Sequence, residues 1–341
     1  MRIAATPWLC LAFALLSLAL ALAPAGAAES EQALYQAARK EGSVVVWTPL
    51  EIGLYQKIAA RFAAKYPGIR IEPFRIQPGP AIERTVTEAK AGLINVDVID
   101  PNIAYMPLLI QHGLIEPYPW DQVFGVAPDR MLFDKRALVL GHYDLPLGYN
   151  SNLVKPDAIK SWDDVLDPRW RGKLLLEARG FGLGILASKW GEQKTLAFIE
   201  KLMANQPIIV KGATAAAEGL AGGQGAIALG AYAARLTLYK DAGAPVDWAR
   251  VGPIPAQQVA IAPIKGGPHP NAAKLLAAYW TSAEAQQIFY DDQRYGMVGY
   301  HLSPRGEELK RHGIEVVLET TDIEQDMHYL RMVGRAIGGI K

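Results

Sequence analysis

Asp144-Leu-Pro-Leu-Gly-Tyr-Asn150 is the stretch on which the reading of the fold turns. An apolar, β-prone run ending in Leu138-Val-Leu140 leads into it, and Ser151-Asn-Leu-Val154 leads out. Proline supplies no ladder donor and glycine tolerates unusual dihedrals, so Pro146 and Gly148 weaken what would otherwise be one strand. The chain is expected to pass here from one lobe to another. Gln257-Gln-Val-Ala-Ile-Ala262, an apolar run after a Gly/Pro-rich segment, is a second candidate crossing. Two lobes joined by two narrow strands can close over something small, although two ordinary core strands would carry the same residues.

Upstream of the first crossing the pattern alternates. Glu31 to Glu41 has Ala33, Leu34, Ala37 and Ala38 at helical spacing, and Gly42 ends it. Ser43-Val-Val-Val-Trp47 reads as a buried strand, Leu54 to Tyr66 as a helix stopped by Pro67-Gly68, and Ile69 to Arg75 as a strand. A helix over Ala81 to Ala91, a strand over Val96 to Asp100 and a short helix over Ala104 to His112 complete the series. Strand and helix in turn predict a parallel sheet with crossover helices. Downstream, strands are predicted at Lys173 to Glu177, Ala226 to Leu229 and Val259 to Pro263. Helices are predicted from Gly184 to Trp190, Leu196 to Met203, Ala213 to Ala221, Asn271 to Tyr279, Ala283 to Tyr290 and Thr321 to Ile337.

The 341 residues suit two domains, and their ordinary composition supplies ample core. Arg2, an apolar run from Trp8 to Leu22 and the small residues Ala25-Gly-Ala27 form a secretory leader, cut after about Ala27. Cys10 lies early in that leader, so the mature chain carries no cysteine. Disulfides, thiolate nucleophiles and cysteine metal sites are excluded, and an exported chain of this kind suits the bacterial periplasm. Without Arg2, 34 basic residues balance 34 acidic ones, which gives no support for nucleic acid or an anionic membrane as partner. No later stretch is long and apolar enough to span a bilayer.

In an open sheet, ligands sit outside the carboxyl ends of strands, where helix N-termini point. Four loops qualify: 48–52, 77–82, 100–105 and 178–183. They place Thr48, Asp100 and Asn102 among the candidates. Arg179-Gly-Phe-Gly182 sets an arginine and the bare amides of Gly180 and Gly182 before a helix, as an anion cradle would, or as a plain glycine turn would. Arg75 is a further anion candidate. Tyr232 follows a strand and Gly230; it can stack on a ligand, donate a hydrogen bond, hold Fe(III) as phenolate, or pack against the second lobe. Tyr149, beside the crossing, has the same options.

Catalytic constellations are missing. The six histidines, His112, His142, His269, His301, His312 and His328, show no metal-ligand spacing. There is no Gly-x-Ser-x-Gly elbow or phosphate loop. Asp163-Asp164 follows Ser161 and reads as a capped helix start. An exported two-lobed enzyme would have to draw on Glu51, Asp100, tyrosines and arginines.

Five stretches carry a resemblance when taken in order: Phe62-Ala-Ala-Lys-Tyr-Pro-Gly68; Glu88-Ala-Lys-Ala-Gly92 with Val96-Asp-Val98; Pro146-Leu-Gly-Tyr-Asn150; Ser161-Trp-Asp-Asp-Val-Leu-Asp-Pro-Arg-Trp-Arg-Gly-Lys173; and Pro268-His-Pro-Asn-Ala-Ala-Lys274 with Ser282-Ala-Glu-Ala-Gln286. With them the mature chain resembles the periplasmic solute-binding proteins of bacterial ABC importers, extracellular solute-binding family 1, in its ferric-ion-binding-like branch. The resemblance implies an α/β, type II two-lobed fold with mainly parallel sheets, helices on both faces and a ligand cleft between lobes. It implies an N-terminal lobe of residues 28–146 plus 258–302 and a C-terminal lobe of 147–257 plus 303–341. It further implies a monomer that captures a small solute without chemistry and delivers it to a membrane permease and its ATPase, and a structural role for His269. Ferric-binding members commonly offer two adjacent tyrosines, whereas here Ala233 follows Tyr232. One phenolate is a thin shell for Fe(III). A small organic anion or phosphonate, held by Thr48, Arg75 or Arg179, is therefore expected, with no resident metal or cofactor and with ferric iron as the alternative cargo.

Overall fold

The computed structural model describes residues 29–299 and 303–338. The predicted leader, Cys10, the cleavage position and His301 lie outside the described residues. Within them, strands follow in chain order as β1 (Ser43–Thr48), β2 (Arg70–Arg75), β3 (Val98–Ile99), β4 (Met131–Leu132), β5 (Ala137–Asp144), β6 (Leu147–Asn150), β7 (Leu174–Glu177), β8 (Ile208–Val210), β9 (Ile227–Leu229), β10 (Val246–Trp248), β11 (Ile254–Pro263) and β12 (Val316–Leu318).

Two sheets result. One runs β2-β1-β3-β11-β5-β4 with β12 on β11, and the other runs β10-β6-β9-β7-β8. Each keeps a parallel block, β2-β1-β3 and β9-β7-β8, of the kind that strand–helix alternation produces. β12 also joins β11 in parallel, and the remaining pairs are antiparallel: β11 against β3 and β5, β4 against β5, and β6 against β9 and β10. The sheets are therefore mixed rather than mainly parallel, because the strands carrying the chain between them run counter to their neighbours.

Asp144 ends a strand of the first sheet and Leu147 begins one of the second, so the change of sheet falls on Leu145-Pro146. The return runs from β10 to β11 alongside it: Leu145 N–H donates to Pro255 O at 2.8 Å, and Ala249 N–H to Leu147 O at 2.8 Å. Gly148 serves packing rather than an unusual dihedral. A Cβ there would lie 2.7 Å from Leu236 Cδ1, so glycine lets helix Ala233–Asp241 approach β6.

The core divides with the sheets. Helices Ile52–Lys65 and Pro270–Trp280 bury Tyr55, Ile58, Phe62, Leu276 and Trp280 on one face of the first sheet. In the second, Trp162, Leu176, Leu186, Phe198 and Val333 pack together. Ser161-Trp-Asp-Asp164 is a capping box, with Lys160 and Ser161 N–H donating to Asp164 Oδ2 at 2.7 and 2.8 Å. Its helix is a 3-10 turn, and Trp162 Nε1–H reaches Pro253 O at 2.9 Å beside the return crossing. Helix Ile323–Ala336, predicted from Thr321, lies on helices Phe181–Trp190 and Glu192–Ala204.

Candidate functional site

Strand ends bring the site together. Beyond β3, Asp100 is fully buried, and its Oδ2 accepts from Thr48 Oγ1–H at 2.8 Å and Tyr55 O–H at 2.5 Å. Beyond β12, Glu319 accepts at Oε2 from Asn102 Nδ2–H at 3.0 Å and Gln258 N–H at 2.9 Å. Asp326, one turn into the last helix, accepts from Thr320 N–H at 2.7 Å. Beyond β9, Tyr232 donates its hydroxyl to Gln257 Oε1 at 2.8 Å, which joins the second sheet to β11. Asp100, Asn102, Tyr232, Gln257, Glu319 and Asp326 line one cavity of about 640 Å³. Tyr143 of β5 and Val259 of β11 contribute to its wall, with Gln77 and Tyr105 from loops of the first sheet and Arg179 and Phe181 from the second. The volume falls in the range of small-molecule sites.

The wall is acidic. Burial, opposed by the Tyr55 and Thr48 hydrogen bonds, pushes Asp100 up to about 8. Burial likewise pushes Glu319 up to about 7, opposed by the Gln258 and Asn102 bonds. Asp326 is raised for the same cause. Burial takes the Tyr232 phenol to about 12, and the Tyr143 phenol well above its ordinary value. Rings of Tyr143 and Tyr232 lie 5.4 Å apart, with Tyr295 4.4 Å from Tyr143.

Of the residues singled out in the sequence, Asp100, Asn102, Arg179 and Tyr232 line the cavity. Thr48 does not; it is fully buried behind Asp100 and orients that carboxylate. Arg75 does not either, because its guanidinium pairs with Glu51 at 2.7 Å on the surface. Tyr149 is buried within β6 in the second core, where all four residues of the short strand are covered. The glycine loop is no open cradle. Glu177, on β7, turns back into it: Oε2 accepts from Arg179 N–H and Gly180 N–H, both at 3.1 Å, and Oε1 from Arg179 Nε–H at 2.8 Å. The chain's own carboxylate thus fills the anion position. Gly180 (φ 65°) is a packing point, since a Cβ there would meet Val333 Cγ1 at 2.4 Å. Gly182 is another, closing on Pro255 and Leu145.

Sequence reasoning missed Glu319 and Asp326. The rule that selected the other loops would have selected theirs: Val316-Val-Leu318 is a short strand, and Asp322 caps the next helix through Gln325 N–H. His269 sits outside the cavity. Its Nδ1 is 2.7 Å from Asp97 Oδ2 and its Nε2 3.4 Å from Ser43 Oγ, while Asp97 also accepts from Val45 N–H and His269 N–H. Asp97 there ties the starts of two elements together rather than serving a nucleophile at a pocket. Among the described residues, no three His, Cys, Asp or Glu side chains are grouped to hold a metal. No described helix is long and apolar enough to cross a membrane.

A sequence profile of bacterial extracellular solute-binding proteins matches residues 57–299. No curated protein matches the chain. Among solved structures, a Trichodesmium protein (IdiA, FutA) in complex with iron and citrate is similar over 86% of this chain and 99% of its own, at 17% identity and TM-score 0.71. An ABC transporter substrate-binding protein from Bradyrhizobium japonicum is similar over 88% and 100%, at 16% identity and TM-score 0.71. Iron-bound HitA from Pseudomonas aeruginosa is similar over 87% and 99%, at 18% identity and TM-score 0.67. At these identities the likeness is one of fold: two lobes, mixed sheets and helices around them.

Proposed function

The chain belongs to the bacterial extracellular solute-binding proteins, and on that premise we propose that it captures one small solute between its lobes and hands it, chemically unchanged, to an ABC permease and its ATPase. We assign residues 28–146 plus 258–302 to one lobe and 147–257 plus 303–341 to the other. The periplasm is the proposed compartment. The observation that carries the reading is the cavity of about 640 Å³, walled from both sheets and floored by Tyr143 of β5 and Gln257 and Val259 of β11, the strands beside the crossings. Ligand contacts made by both lobes favour a closed arrangement over an open one, which is what lets a receptor signal that it is loaded.

The test is native mass spectrometry of protein taken from its own periplasm, followed by release of the solute on unfolding. One small molecule per chain is expected, recovered intact, and its retention should be lost in Tyr232→Ala with Phe181→Ala. An empty protein that no fraction of periplasmic extract stabilises against heat would refute capture. Release of a converted product would instead favour an enzyme.

Ferric iron is the second reading. It is favoured by the two phenols, Tyr143 and Tyr232, on one wall, and by neighbours of the same fold that were solved with iron. It needs phenolates, and burial raises both phenols in the metal-free cavity, so iron would have to displace their protons. Ferric citrate added to the protein should produce no visible phenolate-to-iron charge-transfer band; its appearance would favour iron.

A further inference from the structure

A second hollow, of about 380 Å³, opens beside the second core and shares no lining residue with the cavity between the sheets. Its base is aromatic. The Trp190 ring stands edge-on to Trp162 at 5.7 Å between centroids and lies 5.3 Å from Phe198. Trp162 and Phe198, 6.3 Å apart, are buried, whereas Trp190 is half-buried and keeps ring surface open. The Trp162 N–H is already given to Pro253 O at 2.9 Å. That ring therefore offers an occupant carbon surface and no donor. The volume lies within the range of small-molecule sites.

The mouth of the hollow is cationic. Lys194, Ala197, Phe198 and Lys201 line it from helix Glu192–Ala204, at the i, i+3, i+4, i+7 spacing of one helix face. Lys194 Nζ lies 5.3 Å from the Trp190 ring centroid. Three and four residues from the two lysines stand Trp190, Gly191, Ala197, Phe198, Ala204 and Asn205. No acid thus occupies a position that would pair with either ammonium along the helix. Neither lysine forms an ion pair elsewhere among the described residues. Asp163 is the one acid in the lining, against two lysines. Ala197, between the lysines, is small enough to leave the space open.

We propose that this hollow is a binding site for a small planar aromatic carboxylate, its ring against Trp190 and its carboxylate held between Lys194 and Lys201. The rings reward a flat apolar body, which an inorganic anion lacks. The lysines reward negative charge, which a neutral aromatic lacks. An aromatic amine would meet two ammonium groups and one carboxylate. The site is separate from solute capture, but it ends on Gly252-Pro253, directly before β11. An occupant therefore touches the chain where it returns to the first sheet.

The experiment is a protein-observed NMR titration of the chain without its leader, using 2-naphthoate, cyclohexanecarboxylate, naphthalenemethylamine and inorganic phosphate. 2-Naphthoate should bind once per chain with a dissociation constant of about 1 mM or tighter, and more weakly as salt is raised. Cyclohexanecarboxylate should bind about fivefold more weakly, for want of ring stacking. Lys194→Gln with Lys201→Gln should weaken 2-naphthoate about tenfold or more. Ala197→Leu fills the low point with a good helix former and should abolish binding. These three positions are exposed, and thermal unfolding should show both variants folded as the parent is. Asp163→Asn, which removes the one repelling charge, should tighten binding. Tyr232→Ala with Phe181→Ala, altering the other cavity, should leave it unchanged. Equal binding of the amine or of phosphate, or no saturation by about 10 mM 2-naphthoate, overturns the proposal. So does loss of binding in the Tyr232 and Phe181 variant, which would place the ligand between the lobes. Affinity retained in both the lysine and the Ala197 variants would show adventitious binding only and overturns it as well.

Discussion

Replacing Asp100 by asparagine should remove part of the pH dependence of the protein's stability. Inside the fold the carboxyl is raised from 3.8 to about 8, chiefly by burial and against the Thr48 and Tyr55 hydrogen bonds. That is about four units, so at about 1.4 kcal/mol per unit, ionising Asp100 in the empty folded protein costs on the order of 5 kcal/mol. Between about pH 4 and pH 8 the native chain keeps a proton that the unfolded chain has released. The unfolded state then binds fewer protons, and stability falls as pH rises. Asp100's contribution is complete below about pH 4 and is lost as pH climbs through about 8. Glu319, raised to about 7, adds a smaller fall of the same sign in parent and variant alike. Asparagine cannot ionise and still accepts from Thr48 and Tyr55. The variant should match the parent within about 1 kcal/mol in acid and exceed it by at least about 2 kcal/mol in mild alkali, allowing for water reaching the opened site. Urea unfolding of solute-free protein across that range, compared at equal m-values, measures the difference. Parallel pH profiles for the two proteins would show that Asp100 is not held protonated and would refute the reasoning.

Three further outcomes follow from single contacts. Arg305→Ala should cost about 3–5 kcal/mol, read by urea unfolding, because it strands Asp144, which is fully buried and accepts from Arg305 Nε–H at 3.1 Å. Gly230→Ala should cost at least about 2 kcal/mol, read by thermal unfolding: φ is 102° and a Cβ would lie 2.5 Å from Glu177 Cβ. Glu177→Ala should create weak phosphate binding, detectable by titration, by freeing Arg179 Nε–H and the amides of Arg179 and Gly180; no gain in phosphate affinity would mean that the loop collapses when its internal carboxylate is removed.

Local pattern carried much of the fold. Helix Glu31–Glu41, with Ser30 accepting from Ala33 N–H and Gly42 closing it, was readable because its spacing and both caps lie within a dozen residues. Helix Ala233–Asp241 was not readable. It begins directly after Tyr232 and is nearly even in hydrophobicity around its circumference, since it packs against β10, β5 and the helices Ala213–Ala221 and Ala283–Gln293. The short strands β8, β10 and β12 escaped for a related reason: three residues carry no period, and pairing alone makes them strands. In the site, strand ends were chosen correctly as places, but side-chain destinations were not available. Thr48 and Asp100 are 52 residues apart and only tertiary packing shows that one positions the other. Glu177 filling its own glycine loop cannot be told from an empty cradle until the backbone is folded.

The crossings explain why the cavity and the joint between the lobes are one construction. The outgoing and returning strands lie against each other, Asp144 opposite Ala256 and Tyr143 opposite Gln257, so the connection is a paired ribbon rather than two loose links. Side chains alternate along a strand, so neighbouring residues of this ribbon serve opposite faces. Tyr143 and Gln257 line the cavity. Asp144 instead meets Arg305, whose guanidinium lies 4.7 Å from the ring of Trp248 on β10 and pairs with Glu308. One face of the ribbon thus lines the cavity, and the other anchors a buried ion pair that reaches into the second sheet. Bending the ribbon must therefore change the shape of the binding wall, whereas sliding one lobe past the other would break the Asp144–Arg305 contact. Gln257 on the ribbon also accepts from Tyr232 of the opposite sheet, so a change in the angle between the sheets would be felt at the cavity wall.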